Sequence, residues 1–338
     1  MMSRLEQRPY GGTGEQVTVV GLGGVGLPRV SFADGVATVH RALELGITYL
    51  DTAPLYGHGV AQAILGEALV GRREPYLLAT KLGHLAQPRR FRSPQALCTQ
   101  FEENLRLLRR DSVDVLKVHE ADLHCWWSDD PSDSRLLDPA TEYDFANAPI
   151  IQVLQEEKAQ GRCRFVGITG NTPDRLARIL PAVEVDTCLT AFNYGVIHRG
   201  ARRQLLPVAR ERGVAVILGG VFQQGRLVVV RPEWLRSPPD WLTPDVHQRL
   251  ERLYALQQQS GLSLVTLTLR YLLADPAVSA ILVGAAAPSE IEESVAAVQA
   301  GSLPSDLHEA IEALGLPYSP RDATEAPGPP PMRTSRAG

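Results

Sequence analysis

The feature that most constrains this chain is a repeated alternation between short apolar segments and longer segments with helical periodicity. From Ile47 onward, seven predicted strands are each followed by a predicted helix, and a further strand around residues 19–23 makes eight. Alternation of this kind implies a parallel sheet covered by helices. Eight units predict an α/β fold, the closed (β/α)8 barrel of the TIM type, in which functional residues lie at the carboxyl ends of the strands.

Local signals mark the start of several helices. Ser93 at an N-cap, followed by Pro94 at the first helical position, predicts a helix that continues to about Leu108. Helical spacing also predicts a helix over residues 36–45 with Asp34 as its N-cap, and one helix over residues 200–212.

A single domain accounts for most of the chain. The 338 residues include 29 glycines, and this length permits two domains or one large barrel. The glycines fall mostly at the ends of periodic segments, as expected of many tight strand–helix connections. We therefore predict one barrel domain over residues 8–318, with long loops at its C-terminal mouth. Residues 319–338 are rich in Pro and Gly and are predicted to be a disordered tail.

Composition and charge exclude several classes of protein. The formal charge of -4 and a pI near 6.1 argue against a nucleic-acid-binding protein, which would show a basic stripe. No apolar run approaches the roughly 20 residues that span a membrane, and residues 1–7 lack the apolar core of a signal peptide. The four cysteines form no CxxC pair, which argues against a disulfide framework or a zinc site and favours a location in the reducing cytoplasm. The expected partner is a small-molecule substrate, and a homo-oligomer is left open.

Residues 21–26 match the GxGxxG pattern of dinucleotide-binding folds. Two details oppose that interpretation, because Pro28 separates the pattern from the next helix and Asp51 lies beyond the expected distance of about 20 residues. The alternative, which we favour, is that these glycines form the tight exit from the first barrel strand, where the backbone passes close to a ligand.

Three predicted strands end at residues suited to acid–base chemistry, namely Asp51, Lys81 and His119, and Tyr56 follows Asp51 by five residues. In a barrel these side chains converge on one mouth. A nearby ammonium lowers the pKa of a tyrosine, a carboxylate balances a buried lysine, and a neutral imidazole orients a substrate oxygen. Each residue alone also has a structural explanation, such as packing or capping. Together they predict proton transfer at an oxygen, with a cofactor carrying the hydride.

The segments around these four residues resemble the aldo-keto reductase family over about residues 8–300; they are residues 46–53, 56–57, 78–81 and 113–119. The resemblance implies that Tyr56 is the general acid–base, tuned by Lys81 and Asp51. It implies that His119 orients the carbonyl or hydroxyl. It also implies an NAD(P)-dependent oxidoreductase whose cofactor lies extended across the barrel mouth and exchanges a hydride with a carbonyl or alcohol.

Within the family, the chain resembles the sugar 1-dehydrogenase branch (L-fucose, D-threo-aldose and galactose dehydrogenases), with pyridoxal 4-dehydrogenase nearby. The hints are residues 80–83 with Pro88, and residues 219–227. This resemblance implies an aldose or sugar-like substrate. The alternative within the family is an NADPH-dependent reductase of aldehydes or ketones in secondary metabolism.

The resemblance also implies cofactor-binding positions, several of which depart from the usual family residues. Asn171, after the fifth strand, is expected to hold the nicotinamide carboxamide, and Asn193 or Thr190 replaces the usual glutamine on the sixth strand. Phe222 is the candidate for a ring that stacks on the nicotinamide. The other candidates along the cofactor are Gly23, Gly225, Gly284, Ser289 and Glu290.

The choice between NAD and NADP is predicted from the same positions. Members that prefer NADPH place a lysine near Gly284 and an arginine near Glu290, where they bind the 2′-phosphate. This chain has neither cation there. Since a phosphate without a cationic partner loses charge-assisted hydrogen bonds, and Glu290 would repel it, we predict a preference for NAD.

The long polar stretch over residues 120–148 is predicted to be a functional loop. His119, just before this stretch, and His124 within it are five residues apart rather than four, in a segment that is not helical, so no metal is expected. Trp126 and Trp127 have two open interpretations, as a wall of the substrate pocket on which a sugar packs, or as anchors of the loop.

Two hypotheses of other classes use the same fold. Lys81 could form a Schiff base with substrate in a lyase or isomerase. The barrel could also be a cofactor-binding regulatory subunit, as the barrel β-subunits of potassium channels are. The presence of all four acid–base residues favours an enzyme over a regulatory subunit.

Overall fold

The carboxyl ends of eight parallel strands form one rim, and this rim carries the candidate site. The computed structural model describes residues 4–129, 135–240 and 242–315; the predicted tail at 319–338 lies outside these residues. The strands are β1 Gln7–Pro9, β2 Gln16–Thr18, β3 Val20–Gly23, β4 Tyr49–Asp51, β5 Leu77–Leu82, β6 Val113–Val118, β7 Cys163–Gly170, β8 Thr187–Ala191, β9 Ala215–Gly219 and β10 Ala280–Val283. Strands β3 to β10 pair in chain order, and β10 closes onto β3. The predicted (β/α)8 barrel is confirmed.

Helices cover the outside of the barrel. They are α1 Phe32–Glu44, α2 Val60–Ala68, α3 Pro94–Leu108, α4 Pro149–Ala159, α5 Pro173–Ile179, α6 Gly200–Gln204, α7 Leu206–Glu211, α8 Pro232–Arg236, α9 Pro244–Ser260, α10 Leu264–Leu273, α11 Pro288–Gln299 and α12 Ser305–Glu312. None of the helices in the described parts of the chain has the length and apolar character needed to cross a membrane.

The start signal at Ser93 is confirmed, because its side chain accepts a hydrogen bond from the backbone N–H of Ala96 at the start of α3. The predicted cap of α1 is wrong: Ser31 is the N-cap and accepts from the N–H of Asp34, which lies in the first turn. The helix predicted over residues 200–212 is two helices. They separate at Leu205, just before Pro207, which has no N–H to continue the helical hydrogen bonds.

Side chains fill the barrel interior in layers. Tyr49, Ala79 and Val115 belong to one buried interior cluster. Since strand side chains alternate between the two faces of a sheet, the residues two positions further along these strands also face inward, nearer the carboxyl ends. Those residues are Asp51, Lys81 and Lys117.

A short antiparallel hairpin of β1 and β2, which our sequence reasoning did not predict, lies at the opposite end of the barrel. Tyr10, between its strands, is fully buried and packs against Tyr49 with 5.6 Å between ring centroids. The hairpin therefore covers the amino-terminal end of the barrel, opposite the end at which functional residues lie in this fold.

The GxGxxG segment lies in the barrel wall and not in a separate nucleotide-binding domain. Gly21 and Gly23 belong to β3, and Gly24–Arg29 form a short 3-10 helix after it. A Cβ on Gly26 would lie 2.3 Å from the carbonyl oxygen of Gly284, and one on Gly21 would lie 2.9 Å from that of Tyr49. The tight strand exit is confirmed, since the backbones at Gly21 and Gly26 approach too closely for a side chain, and the approach to a ligand stays a prediction.

Candidate active site

The four acid–base residues predicted from the sequence meet at the C-terminal mouth. Asp51 ends β4, Lys81 lies on β5, and His119 directly follows β6. The Nζ atom of Lys81 lies 2.5 Å from Oδ1 of Asp51 and 3.1 Å from the hydroxyl of Tyr56. The rings of Tyr56 and His119 meet edge to face, with 5.9 Å between their centroids. Neighbouring strands thus bring together side chains that are distant in the sequence.

Lys81 is the buried centre of this group, with 1% of its surface exposed. Its ammonium donates to Asp51, to Tyr56 and to the carbonyl of Thr52 at 2.8 Å. The side chain of Asn104 donates to the Lys81 carbonyl at 2.9 Å and so ties α3 to this strand. Burial lowers the pKa of Lys81 to about 8, although the Asp51 carboxylate acts in the opposite direction.

A second buried lysine, Lys117, belongs to the same cluster, and our sequence reasoning missed it. Its ammonium donates to Oδ2 of Asp51 and to the hydroxyl of Tyr49. Burial alone would raise the pKa of Asp51, but the ammonium groups of Lys117 and Lys81 outweigh it and hold that pKa below its usual range. The missed signal is the period of two along a strand, because Lys117 lies two residues before His119.

Tyr56 does not have the lowered pKa that the sequence suggested. Burial, and then the carboxylates of Asp51 and Glu120, raise the pKa of Tyr56 well above 10. The prediction that the ammonium of Lys81 would lower this pKa is wrong for the protein without a ligand, because desolvation and two nearby negative charges dominate. The phenol is therefore protonated at neutral pH.

His119 is a neutral imidazole at the mouth, as the sequence suggested. Burial, followed by repulsion from Lys81, His84 and Lys117, holds its pKa well below 6.5. Its backbone N–H donates to the carbonyl of Leu82, which joins it to β5. Among the described residues, its Nδ1 has no hydrogen-bond partner. The imidazole is thus uncharged, and in the described parts of the chain its Nδ1 is left without a partner.

A polar group beside His119 lines the rim. Glu120 has a φ of 55°, in the left-handed region that side chains rarely adopt, and its N–H donates to Oγ1 of Thr169. One carboxylate oxygen lies 3.2 Å from Nε2 of His84, and the other accepts from Nδ2 of Asn171 at 3.2 Å. This rim adds a negative charge close to Tyr56 that the four-residue set alone would not suggest.

The two tryptophans of the long loop are buried. Trp126 is fully buried, and its indole N–H lies 3.1 Å from the carbonyls of both His119 and Glu120. Trp127 is 4% exposed, and its indole N–H donates to the carbonyl of Ala121. Neither indole presents a free face to the mouth. The structure supports the anchoring interpretation, and the predicted substrate wall finds no support in it.

The same loop carries the histidine considered for a metal site. Nδ1 of His124 lies 2.9 Å from the hydroxyl of Tyr143. Across residues 4–129, 135–240 and 242–315, no group of three or more His, Cys, Asp or Glu side chains is arranged to hold a metal ion.

Asn171 is held rigidly at the mouth. Its N–H donates to Oδ2 of Asp122, and its carbonyl accepts from Nδ2 of Asn193 at 3.0 Å. Asn193 also accepts from the hydroxyl of Thr190, so both ends of its amide are used within the protein. Asn171 is the predicted nicotinamide contact that lies at the mouth. Asn193 holds the backbone of Asn171 and is itself bonded to Thr190.

The remaining cofactor candidates lie on loops and strand ends around the rim. Phe222 and Gly225 lie on the segment after β9, where Phe222 packs partly buried against the core and a Cβ on Gly225 would meet nothing within 4 Å. Gly23 ends β3 in a buried position. Glu290 lies in the first turn of α11, next to the exposed Ser289, and accepts a hydrogen bond from the N–H of Ala286 at 2.8 Å. Gly284 directly follows β10.

The fold and site together are those of a closed parallel barrel that carries a buried tyrosine–lysine pair at the carboxyl ends of its strands. The model of the aldo/keto reductase family matches residues 19–315, and the chain belongs to this family. The prediction of an oxidoreductase of the aldo-keto reductase type is confirmed.

Individual relatives agree with this assignment. The chain is 31% identical over 309 residues to the L-galactose dehydrogenase of Arabidopsis thaliana, a match that covers 88% of this chain and 89% of that protein. It is 26% identical over 348 residues to the pyridoxal 4-dehydrogenase of Microbacterium luteolum, with 92% and 98% covered. The holo form of an aldo-keto reductase from Bacillus halodurans superposes with a TM-score of 0.74 at 24% identity, covering 94% of this chain and 99% of that one, and supports the fold.

Proposed function

We propose that this enzyme transfers a hydride between a nicotinamide cofactor and the carbonyl or alcohol carbon of an aldose or sugar-like substrate, with Tyr56 as the general acid–base. The observation that carries the proposal is the 3.1 Å hydrogen bond from Nζ of Lys81 to the hydroxyl of Tyr56 at the open end of the barrel. The sugar and pyridoxal dehydrogenases among its relatives support the substrate class.

The protonation states of the chain's own groups suit proton transfer at an oxygen. In reduction, the neutral phenol of Tyr56 donates its proton to the carbonyl oxygen, and the ammonium of Lys81 stabilises the phenolate that remains. Oxidation runs the same transfer in reverse, so Tyr56 must first lose its proton, a loss that burial and the carboxylates of Asp51 and Glu120 oppose in the protein without a ligand. His119, which is neutral, hydrogen-bonds the same oxygen and orients it. When bound, the nicotinamide ring supplies or accepts the hydride.

The residues at the mouth fit a nicotinamide. Asn171 has its backbone held by Asp122 and Asn193, and its side-chain nitrogen donates to Glu120. Its side-chain oxygen has no partner among the described residues, so it can accept a hydrogen bond from a carboxamide. Phe222, Gly225, Gly284 and Ser289 would then line the rest of the cofactor.

A preference for NAD over NADP follows from Glu290. Its carboxylate caps the N–H of Ala286 at the start of α11, the region where the resemblance places a 2′-phosphate. A negative side chain in this position repels a phosphate and uses a backbone N–H that a phosphate would otherwise bind. Replacing Glu290 by Gln keeps the acceptor and removes the charge. The ratio of kcat/KM for NAD to that for NADP should therefore fall in this variant.

The Schiff-base alternative is not favoured by the geometry. All three protons of the Lys81 ammonium are donated, to Asp51, Thr52 and Tyr56, and the side chain is buried. A carbonyl substrate would have to displace these partners before the amine could attack it.

The four cysteines are free thiols, which supports the cytoplasm as the compartment of the reaction.

The direct test is turnover of the nicotinamide absorbance with a panel of aldoses, pyridoxal and simple aldehydes, in both directions and with both cofactors. We expect the highest kcat/KM with a sugar and NAD. Tyr56→Phe should lower kcat by about 10²–10⁴-fold. The control is Tyr76→Phe, which removes a hydroxyl bonded to Arg110 at the far end of β5 and should leave kcat unchanged. Full activity of Tyr56→Phe, or no turnover of any sugar, would refute the proposal.

A further inference from the structure

Two of the chain's few lysines share one buried carboxylate. Of 34 basic residues, only three are lysines, namely Lys81, Lys117 and Lys158. Lys81 and Lys117 are buried, and they bind opposite oxygens of Asp51. Lys158 is instead partly exposed, on α4, and pairs with Asp186. Two of the three lysines in the chain thus bind the same carboxylate, that of Asp51.

This sharing leaves the cluster with more positive than negative charge. Two ammonium groups contact a single carboxylate, which carries one negative charge. The other titratable groups around them are the phenols Tyr10, Tyr49 and Tyr56, the imidazole His119 and the thiol Cys188. Further out lie the carboxylates Asp114, Glu120 and Asp122. None of these three carboxylates bonds to a lysine: Glu120 binds His84 and Asn171, Asp122 accepts from the backbone of Asn171, and Asp114 pairs with Arg164.

Each of the remaining neighbours is neutral at pH 7. Burial raises the pKa of all three tyrosines well above 10 and that of Cys188 well above 9. Burial and the ammonium groups keep His119 uncharged, because its pKa lies well below 6.5. Among the described residues, no further negative group bonds to either ammonium, and the excess positive charge lies beside Tyr56.

We propose that Lys117 is a positioning residue of the reaction, one that occupies half of the Asp51 carboxylate and so leaves Lys81 with an incompletely neutralised ammonium facing Tyr56. With Lys117 absent, Asp51 would be available to Lys81 alone. The ammonium would then be better neutralised, and it would stabilise the Tyr56 phenolate less. Lys117 also makes it easier for Lys81 itself to lose its proton, because like charges repel. This inference rests on the proposed function for its consequence in catalysis, but not for its electrostatic part.

The electrostatic part is testable without turnover. In cofactor-free protein labelled at the lysine side chains, NMR should resolve three ε-positions, with Lys158 as an internal reference. We expect Lys81 to titrate near pH 8. In Lys117→Met, this titration should move up by roughly one to two pH units, because one like charge bound to the same carboxylate is lost. Lys117→Arg, which keeps the charge, should restore the wild-type titration.

The catalytic part is read from the pH profile of kcat/KM in reduction. Its alkaline limb should lie near pH 8 in the wild type and move to higher pH in Lys117→Met. Tyr49→Phe removes the neutral partner of Lys117 without changing any charge, and it should leave the limb in place. A structural role alone would lower stability in both variants without moving the limb.

The outcomes separate the two proposals. A Lys81 titration near its ordinary value above pH 10 in the wild type overturns the inference, even if no variant folds. Titrations of Lys81 that coincide in wild type and folded Lys117→Met also overturn it. If the titration moves as expected but no substrate is turned over, the inference about Lys117 stands and the proposed function fails.

Discussion

Replacing Lys81 by Met should stabilise the folded protein while abolishing its activity. Lys81 is buried, and its pKa falls from the ordinary 10.5 to about 8. One pKa unit corresponds to about 1.4 kcal/mol, so holding this proton in the fold costs about 3 kcal/mol at pH 7. Methionine has a similar length and no charge. Asp51 keeps Lys117 as its partner, so the substitution leaves no buried carboxylate unpaired.

The gain in the free energy of unfolding from Lys81→Met should decrease as pH rises. In the unfolded chain Lys81 keeps its proton up to about pH 10.5, whereas in the fold it loses the proton above about pH 8. Between these values the unfolded state binds more protons, so the contribution of Lys81 to stability rises with pH. The advantage of Lys81→Met should therefore shrink from about 3 kcal/mol at pH 7 to roughly 1.5 kcal/mol at pH 9.5.

The assay is urea unfolding, followed by circular dichroism at pH 7 and pH 9.5, of wild type, Lys81→Met and Lys158→Met. Titrating groups that do not interact with Lys81, such as the cysteines, cancel in the difference between wild type and variant. Lys158→Met removes the chain's partly exposed lysine and should change stability by less than about 1 kcal/mol at both pH values. A difference for Lys81→Met that stays constant, or grows, between pH 7 and 9.5 would refute the reasoning.

Three further predictions follow from buried groups and close contacts. Since the pKa of His119 is lowered in the fold, its contribution to stability should fall by about 1.4 kcal/mol for each pH unit below 6.5, and the difference between wild type and His119→Gln in urea unfolding at pH 5 and 6.5 measures it. Burial raises the pKa of Asp122 to about 6, so the contribution of this residue to the free energy of unfolding should fall as pH rises from 4 to 6. Over that range the free energy of unfolding of the wild type should fall by up to about 3 kcal/mol relative to that of Asp122→Asn. Gly26→Ala would place a Cβ 2.3 Å from the Gly284 carbonyl and should cost about 1–3 kcal/mol, seen as a lower Tm. Gly12→Ala places its Cβ 3.5 Å from the carbonyl oxygen of Gly213, an ordinary contact, and should leave the Tm nearly unchanged.

Predictions from the sequence are confirmed where the residues that determine a structural feature all lie in one short segment. Ser93 and Pro94 begin a helix because a hydroxyl and a fixed φ act within one turn. The order of Asp51, Lys81 and His119 at successive strand ends could be inferred because the alternation of strands and helices sets which ends meet. The break between α6 and α7 was missed, although Pro207 was visible, because helical spacing continues across it.

Signals that depend on the surroundings were less reliable. The indoles of Trp126 and Trp127 could have faced a substrate or the core, and only the packing of the loop buries them. The pKa of Tyr56 was expected to fall because of one ammonium, yet it rises because burial and two carboxylates outweigh that charge. The bonds from the amide of Asn193 to Thr190 and Asn171 likewise appear only in the folded chain, and its contact with the cofactor stays a prediction.

The sequence by itself determined the barrel and the four residues at its mouth, because the period of its apolar residues specifies the elements and their order specifies which strand ends adjoin. Only the tertiary structure decided the charge balance among those residues. Lys117 and Asp51 are 66 residues apart, and closure of the barrel puts a second ammonium on a carboxylate that the sequence had assigned to Lys81 alone. Electrostatic energies depend on distance and burial, and neither exists before the chain has folded.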